Sequence, residues 1–114
     1  MKILHNSRCR KSREGLKILE ESGLQFEIVD YLNQPLDRGQ IRDLLTKLDI
    51  EPIELVRKNE AIWKENYKGK DLSPDQVIDT LATHPKLIER PVVVVGDKAV
   101  VGRPPENILE ILPS

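Results

Sequence analysis

The chain has 114 residues, a length that fits one compact domain and leaves little room for a second. Its charged fraction of 32% and formal net charge of −1 are typical of a globular protein and argue against general nucleic-acid binding. No apolar run approaches the ~20 residues of a membrane-spanning helix, and the N-terminus lacks the apolar stretch of a signal peptide. The single cysteine excludes an internal disulfide, so a reducing compartment, the cytoplasm, is the expected location.

The first third of the chain predicts a strand, a helix and a second strand. Lys2–His5 is a short apolar opening that favours a strand. Apolar residues at helical spacing predict a helix from about Arg10 to Ser22, ending at Gly23, a residue type that often terminates helices. The partly alternating segment Phe26–Tyr31 predicts the second strand.

The middle of the chain predicts helices. After Pro35, Asp37 and Gln40 form a capping pair for a helix. The apolar residues that this helix is expected to bury are Ile41, Leu44, Leu45 and Leu48. A shorter helical stretch is predicted around Ile53–Asn59.

A second helix in this middle region has a clearer start. Ser73, Pro74 and Gln76 supply an N-cap, a proline at the first helical position and a capping-box partner. The helix must stop near Pro85, because the residue before a proline disfavours helical backbone. Its expected buried residues are Val77, Ile78 and Leu81.

The last third predicts a hairpin and a closing helix. Val92–Val95 is a continuous β-branched run, the pair at positions 96 and 97 is a turn, and Ala99–Val101 is the return strand. Pro104 and Pro105 precede the closing helix. The apolar residues expected on one face of that helix are Ile108, Leu109 and Leu112.

The resulting element order is β-α-β, a helical insertion, then β-β-α, which is the order of a thioredoxin-like fold. The first two strands would be parallel, since a helix connects them, and the closing hairpin would be antiparallel. The sequence therefore predicts an α/β protein with a mixed four-stranded sheet. It is treated as a single domain over residues 1–114, with the helical insertion at about 35–85.

Cys9 falls between the first strand and the first helix. A thiol at a helix N-terminus meets unpaired backbone N–H groups and the positive end of the helix dipole, which favour the reactive thiolate. Four neighbouring cations are expected to favour the thiolate further and to attract a small anion: Arg8, Arg10, Lys11 and Arg13. The alternative is a buried structural cysteine, and these polar neighbours argue against it. Cys9 is therefore the predicted nucleophile.

The segment His5–Arg13 reads HNSRCRKSR and resembles the H-N-x-x-C-x-x-S-R signature of the glutaredoxin-coupled arsenate reductases. The resemblance continues through Leu55–Asn59, His84–Pro91 and Gly102–Glu106, in order along essentially the whole chain. Family members commonly carry proline in place of Ser7 and a smaller pair than Arg10-Lys11. These departures leave the nucleophile in place and bear on substrate preference.

The resemblance implies that three arginines hold the oxyanion: Arg57, Arg90 and Arg103. Guanidinium groups stay protonated and match the oxygens of a tetrahedral anion such as arsenate. They would also offset the repulsion between a thiolate and an anionic substrate. The resemblance further implies that Pro91 is the cis-proline which thioredoxin-like folds place opposite the active cysteine.

Three polar residues near Cys9 have two possible functions each. His5 and Asn6 either hydrogen-bond within an anion-binding loop or simply form a polar turn. Ser12 either donates to the thiolate, which we favour, or satisfies a backbone group. His84 is interpreted as a helix-end residue. Two histidines and one cysteine make no metal site, and no glycine-rich phosphate loop occurs.

Reduction of arsenate to arsenite takes two electrons, which one thiol cannot supply. Ser12 stands where a C-x-x-C motif would have its second cysteine, so the second thiol must come from outside. The resemblance implies glutathione as co-substrate and glutaredoxin as the partner that clears the resulting mixed disulfide. No bound cofactor, nucleic acid or membrane is expected.

Two other functions remain open at this point. A regulator of the Spx type shares the fold and binds RNA polymerase without catalysis, although such regulators usually switch through C-x-x-C. Alternatively, the glutathione chemistry is kept and the substrate is another oxyanion or a protein thiol.

Overall fold

A computed structural model describes residues 1–113. The chain forms two compact units: Met1–Gln34 together with the chain from Arg90 onward, and Pro35–Glu89. In residues 1–113, no helix is long and apolar enough to cross a membrane.

The first unit contains a four-stranded sheet of order β2-β1-β3-β4. Its strands are β1 (Lys2–Leu4), β2 (Glu27–Val29), β3 (Val92–Val95) and β4 (Lys98–Val101). β1 and β2 are parallel, whereas the β1–β3 and β3–β4 pairs are antiparallel. The predicted mixed sheet is therefore confirmed, although β2 is shorter than predicted because only three of its residues pair with β1.

Helix α1 (Arg10–Ser22) connects β1 to β2 and has the predicted bounds. It ends at Gly23, whose φ of 73° is left-handed, a conformation that glycine adopts without a Cβ clash. The helix packs its apolar face against the sheet. Four fully buried residues form one apolar cluster: Ile3, Leu19, Val93 and Ile108.

The closing segment is a 3₁₀ helix, Pro105–Glu110, and not the predicted α-helix. Ile108 is fully buried, but Leu109 is 58% exposed, so the prediction that Leu109 shares the buried face is wrong. A 3₁₀ helix has three residues per turn, which places Leu109 on a different face from the one that α-helical spacing gives.

The ring of Pro91 is closely packed between two glycines. A Cβ on Gly15 of α1 would lie 2.7 Å from Pro91 Cγ, and a Cβ on Gly102 would lie 2.9 Å from the same atom. Both distances are shorter than a carbon–carbon contact, for which about 3.5–4.0 Å is optimal. Only glycine therefore fits at these two positions without moving Pro91.

The second unit is helical, with α2 (Arg38–Leu48), α3 (Ala61–Asn66) and α4 (Pro74–Thr83). Two short 3₁₀ helices, Pro52–Leu55 and Pro85–Leu87, complete it. Both predicted capping boxes are present at the starts of α2 and α4. Each box satisfies backbone N–H groups that the start of a helix leaves unpaired. Because its two residues are only three positions apart, both helix starts could be predicted from the local sequence.

The predicted helix over Ile53–Asn59 is wrong beyond its first turn. The 3₁₀ helix ends at Leu55, and Val56 instead forms an isolated antiparallel bridge with Ile88. α3 was not predicted, because Glu60 at its N-cap makes no side-chain capping bond.

Candidate active site

Cys9 is the N-cap residue of α1, in extended backbone, and it is partly exposed. Asn6 organises the loop before it: its backbone oxygen accepts from the Cys9 N–H at 3.0 Å, and its Oδ1 accepts from the Arg8 N–H at 3.0 Å. Arg13 Nη1 donates to the Ser7 carbonyl at 3.0 Å. Hydrogen bonds of Asn6 and Arg13 therefore fix the loop, and the Cys9 sulfur lies at the start of the helix.

The Ser12 side chain is fully buried beneath this loop. Its Oγ accepts a hydrogen bond from the Asn6 N–H at 2.9 Å and lies 2.7 Å from His5 Nδ1. The hydroxyl thus bonds the loop and not the sulfur, so the favoured prediction that it donates to the thiolate does not describe its contacts. Its alternative, the satisfaction of a backbone group, does.

The surroundings of His5 favour its neutral form. Burial lowers its pKa below the usual 6.5, and the positive charge of Arg13 acts in the same direction. A hydrogen bond to Ser12 and the charge of Glu20 act to raise the pKa but do not reverse the shift. The imidazole therefore acts in this loop as a neutral hydrogen-bonding group.

Arg103 contacts the sulfur. Its Nη2 donates to Cys9 Sγ at 3.4 Å, and its Nε donates to the Arg90 carbonyl at 2.8 Å. Asn107 Nδ2 in turn donates to the Arg103 carbonyl at 3.2 Å. Arg90 is 93% buried by side-chain packing, with 7% of its surface exposed. Two arginines from the end of the chain are thus fixed beside a cysteine near its start.

The pKa of Cys9 is lowered by this setting. Burial of the thiol is the largest influence and acts to raise the pKa. It is outweighed by the Ser12 backbone amide, by a hydrogen bond from Arg90, and by the charges of Arg103 and Arg90. The thiolate, which is the nucleophilic form, is therefore favoured at lower pH than for a free thiol.

The cations beside Cys9 in sequence do not supply this effect. All four are exposed: Arg8, Arg10, Lys11 and Arg13. Glu14 lies 3.2 Å from Arg10 Nε and 3.8 Å from Lys11 Nζ. The expectation that the flanking cations stabilise the thiolate is corrected, because the charges that lower its pKa are those of Arg90 and Arg103.

Arg57 belongs to the second unit. Its backbone N–H donates to the Leu87 carbonyl at 2.7 Å, and its Nε lies 3.4 Å from Glu60 Oε1. The side chain is partly buried. Its function as an oxyanion ligand stays a prediction.

The Arg90-Pro91 bond is cis, as the resemblance implied, and Arg103-Pro104 is cis as well. His84 is the C-cap of α4 and meets the ring of Tyr67 edge-on at 6.0 Å, which agrees with its interpretation as a helix-end residue. Residues 1–113 contain no group of three or more His, Cys, Asp or Glu side chains that could hold a metal ion.

The site therefore consists of one partly exposed cysteine at a helix N-terminus, with two arginines fixed beside it. The sequence pattern of the ArsC family matches residues 4–111. The chain belongs to the ArsC family.

Several relatives support this membership. The chain is 46% identical over 114 residues to YfgD of Escherichia coli (strain K12), described as an uncharacterized protein, and the match covers 98% of this chain and 96% of YfgD. It is 40% identical over 114 residues to an arsenate reductase of Neisseria meningitidis, covering 98% and 97% of the two chains. The solved structure of an arsenate reductase from Vibrio cholerae superposes with a TM-score of 0.91 at 40% identity, covering 98% of each chain. The thioredoxin-like fold of the ArsC family is confirmed for this chain.

Two residues of this ArsC site were missed from the sequence. Asn107 holds the carbonyl of Arg103, and Arg13 braces the loop at Ser7. Asn107 follows two prolines and has no recognisable motif around it, so no local pattern could have identified it. Arg13 was noted only as one of four nearby cations, because spacing alone does not show where a long side chain bonds.

We expect the alkylation of Cys9 by iodoacetamide to become faster with rising pH through a midpoint below that of a free thiol. Because the thiolate reacts and its pKa is lowered, the protein should keep a larger fraction of its maximal rate than glutathione does as the pH falls. Intact-mass spectrometry over a pH series gives the midpoint, with glutathione as the reference thiol. A midpoint equal to that of glutathione would contradict the described electrostatics.

Proposed function

We propose that this ArsC-family chain is an oxidoreductase that reduces arsenate to arsenite, with Cys9 as nucleophile and glutathione as the source of the second thiol. The observation that carries the proposal is the 3.4 Å contact between the Arg103 guanidinium and Cys9 Sγ. A cation at this distance favours the thiolate and offers donors to an anion that approaches the sulfur. Full-length relatives that are named arsenate reductases give independent support.

The first step is the capture of arsenate. Arg90 and Arg103 would hold its oxygens beside the sulfur, with Arg57 as the third predicted ligand. Charge-assisted hydrogen bonds contribute about 1.5–3 kcal/mol each, so a few of them can hold an anion that has no apolar surface to bury. Cys9 sulfur then bonds to arsenic, one arsenate oxygen leaves as water, and arsenic stays at its higher oxidation state. The departing oxygen leaves as water with one proton from arsenate and a second proton from solvent, which replaces the one that Cys9 released on forming the thiolate.

The second step is the reduction. Glutathione adds to the covalent adduct, and a disulfide bond forms between its sulfur and Cys9. The sulfur–arsenic bond breaks and its electron pair remains on arsenic, which leaves as arsenite after taking up the glutathione proton. The two sulfurs together lose two electrons and arsenic gains them. Cys9 is the only cysteine of the chain, so the partner sulfur comes from another molecule.

The third step restores the thiol. Glutaredoxin attacks the Cys9–glutathione mixed disulfide, takes the glutathione, and releases Cys9. Exchange of this kind needs a sulfur that a second protein can reach, and Cys9 is partly exposed. Glutathione and glutaredoxin belong to a reducing compartment, and we place the protein in the cytoplasm on that ground. Neither a metal nor a bound cofactor enters the proposed cycle.

The test is arsenate-dependent oxidation of NADPH in the presence of glutathione, glutathione reductase and glutaredoxin. We expect turnover only when all of these components and arsenate are present, because each supplies a separate step. Omission of glutathione should stop the reaction completely. Turnover without glutathione would contradict the source of the second thiol, and no turnover in the complete mixture would contradict arsenate as substrate.

A further inference from the structure

The exposed cations next to Cys9 have no function in the chemistry described so far. Three of them form what we call the basic patch: Arg8, Arg10 and Lys11. They flank the reactive sulfur in the chain, on one side and on the other. The groups that lower the pKa of the thiol are the Ser12 backbone amide, Arg90 and Arg103, and none of them belongs to this patch.

The side chains of the patch are accessible to a ligand. Arg10 is 85% exposed and Lys11 48% exposed, and both share one carboxylate, that of Glu14. Arg8 is exposed, and within residues 1–113 its hydrogen bonding is limited to its backbone N–H, which Asn6 accepts. Three positive charges thus face one negative charge, and the surplus is positive. Arg13 is excluded from the patch because its guanidinium braces Ser7.

We propose that the basic patch recognises the carboxylates of glutathione and so presents the glutathione sulfur to Cys9. This inference rests on the proposed function, in which an external thiol must reach the sulfur. Glutathione carries a carboxylate at each end of a short, extended molecule with its thiol between them. Exposed cations that precede and follow Cys9 in the chain supply positive charge for these carboxylates, and complementary charge at an accessible rim mainly speeds association.

Thiol exchange with oxidised glutathione isolates this step from arsenate chemistry. The Cys9 thiolate attacks one sulfur of the disulfide, the Cys9–glutathione disulfide forms, and one glutathione thiolate leaves with the electron pair. No net oxidation occurs and no further reactant is needed. Intact-mass spectrometry follows the formation of the Cys9–glutathione disulfide. Its rate therefore tests the basic patch even if arsenate is not the substrate.

The variant is Arg8→Gln/Arg10→Gln/Lys11→Gln, measured with oxidised glutathione and with the uncharged hydroxyethyl disulfide. We expect a roughly fivefold slower reaction with oxidised glutathione, since exposed ion pairs are individually weak. The rate with hydroxyethyl disulfide should stay the same, because Cys9 keeps Arg90 and Arg103. Salt at about 1 M, where charges are screened beyond ~3 Å, should bring the wild-type rate down to that of the variant.

The matched control removes three exposed lysines outside the patch: Lys64→Gln/Lys68→Gln/Lys70→Gln. It changes the net charge by the same amount and should leave both rates unchanged. Equal loss with both disulfides would overturn the proposal, since the patch would then act on Cys9 itself. An unchanged rate with oxidised glutathione would also overturn it. If the variant slowed only the reduction of the Cys9–glutathione disulfide by glutaredoxin, the patch would bind glutaredoxin and not glutathione, which would also overturn the proposal. Failure of arsenate turnover in wild type would bear on the proposed function alone.

Discussion

Replacement of Cys9 by serine is expected to reduce arsenate-dependent NADPH oxidation to the rate measured without enzyme. A serine hydroxyl stays protonated at neutral pH, so the Arg90 and Arg103 charges that favour a thiolate cannot make it a comparable nucleophile. The mixed disulfide with glutathione also becomes impossible, because Cys9 is the only cysteine of the chain. The loss is therefore complete, and not a partial weakening of substrate binding. The coupled assay measures it directly.

Cys9→Ala serves as the matched variant, since it removes the sulfur without adding a hydroxyl. Both variants should be equally inactive. Cys9 makes no side-chain capping bond at the start of α1, so both should also unfold in urea at nearly the wild-type midpoint. Turnover by either variant above the enzyme-free rate would refute a cysteine mechanism.

Replacement of Arg103 by lysine is expected to lower kcat/KM for arsenate by roughly 10- to 150-fold, which corresponds to about 1.5–3 kcal/mol for a charge-assisted hydrogen bond. The guanidinium donates to Cys9 Sγ through Nη2 and to the Arg90 carbonyl through Nε. A lysine ammonium keeps the charge but is a point donor on a flexible stem, so it cannot hold both partners in this fixed fork. The change is therefore not conservative here.

A second readout separates this prediction from general destabilisation. In Arg103→Lys the midpoint of Cys9 alkylation should move to higher pH, because the flexible ammonium is not held against Sγ as the guanidinium is, so its charge lowers the thiol pKa less. Arg42→Lys, at an exposed position of α2 that pairs with Asp75, is the matched control and should change neither value. Wild-type kcat/KM together with an unmoved midpoint in Arg103→Lys would show that this arginine is dispensable.

The helices were predictable where their ends carry local chemistry. α1 has the predicted bounds because Gly23 accepts a left-handed φ, and α2 and α4 begin at capping boxes that the sequence shows directly. Prediction failed where a distant partner decides the backbone. Val56 pairs with Ile88, which lies 32 positions further on, and this bridge replaces the helix that local periodicity favoured.

The site was only partly predictable, for the same reason. Cys9 could be identified from its position between a strand and a helix and from its neighbours. The side chain of Arg103, which contacts its sulfur, is 94 positions away, and no spacing rule connects the two residues. The motif resemblance alone pointed to Arg90 and Arg103. Without the resemblance, the cations adjacent to Cys9 would be the expected source of the charge that stabilises the thiolate, and those cations are exposed.

The close fit of Pro91 against Gly15 and Gly102 has a consequence for how this protein tolerates sequence drift. α1 begins at the reactive sulfur, Pro91 directly follows Arg90, and Gly102 directly precedes Arg103. The backbone at Gly15 and the backbone at Gly102 therefore both pack directly against the ring of Pro91, with no side chain between them. Substitution of Leu19 or Ile3 by another aliphatic residue changes the packing of the core but does not change the contacts of Pro91 with Gly15 and Gly102. We therefore expect the distance between the Cys9 thiol and the Arg103 guanidinium to stay the same while much of the surrounding sequence changes.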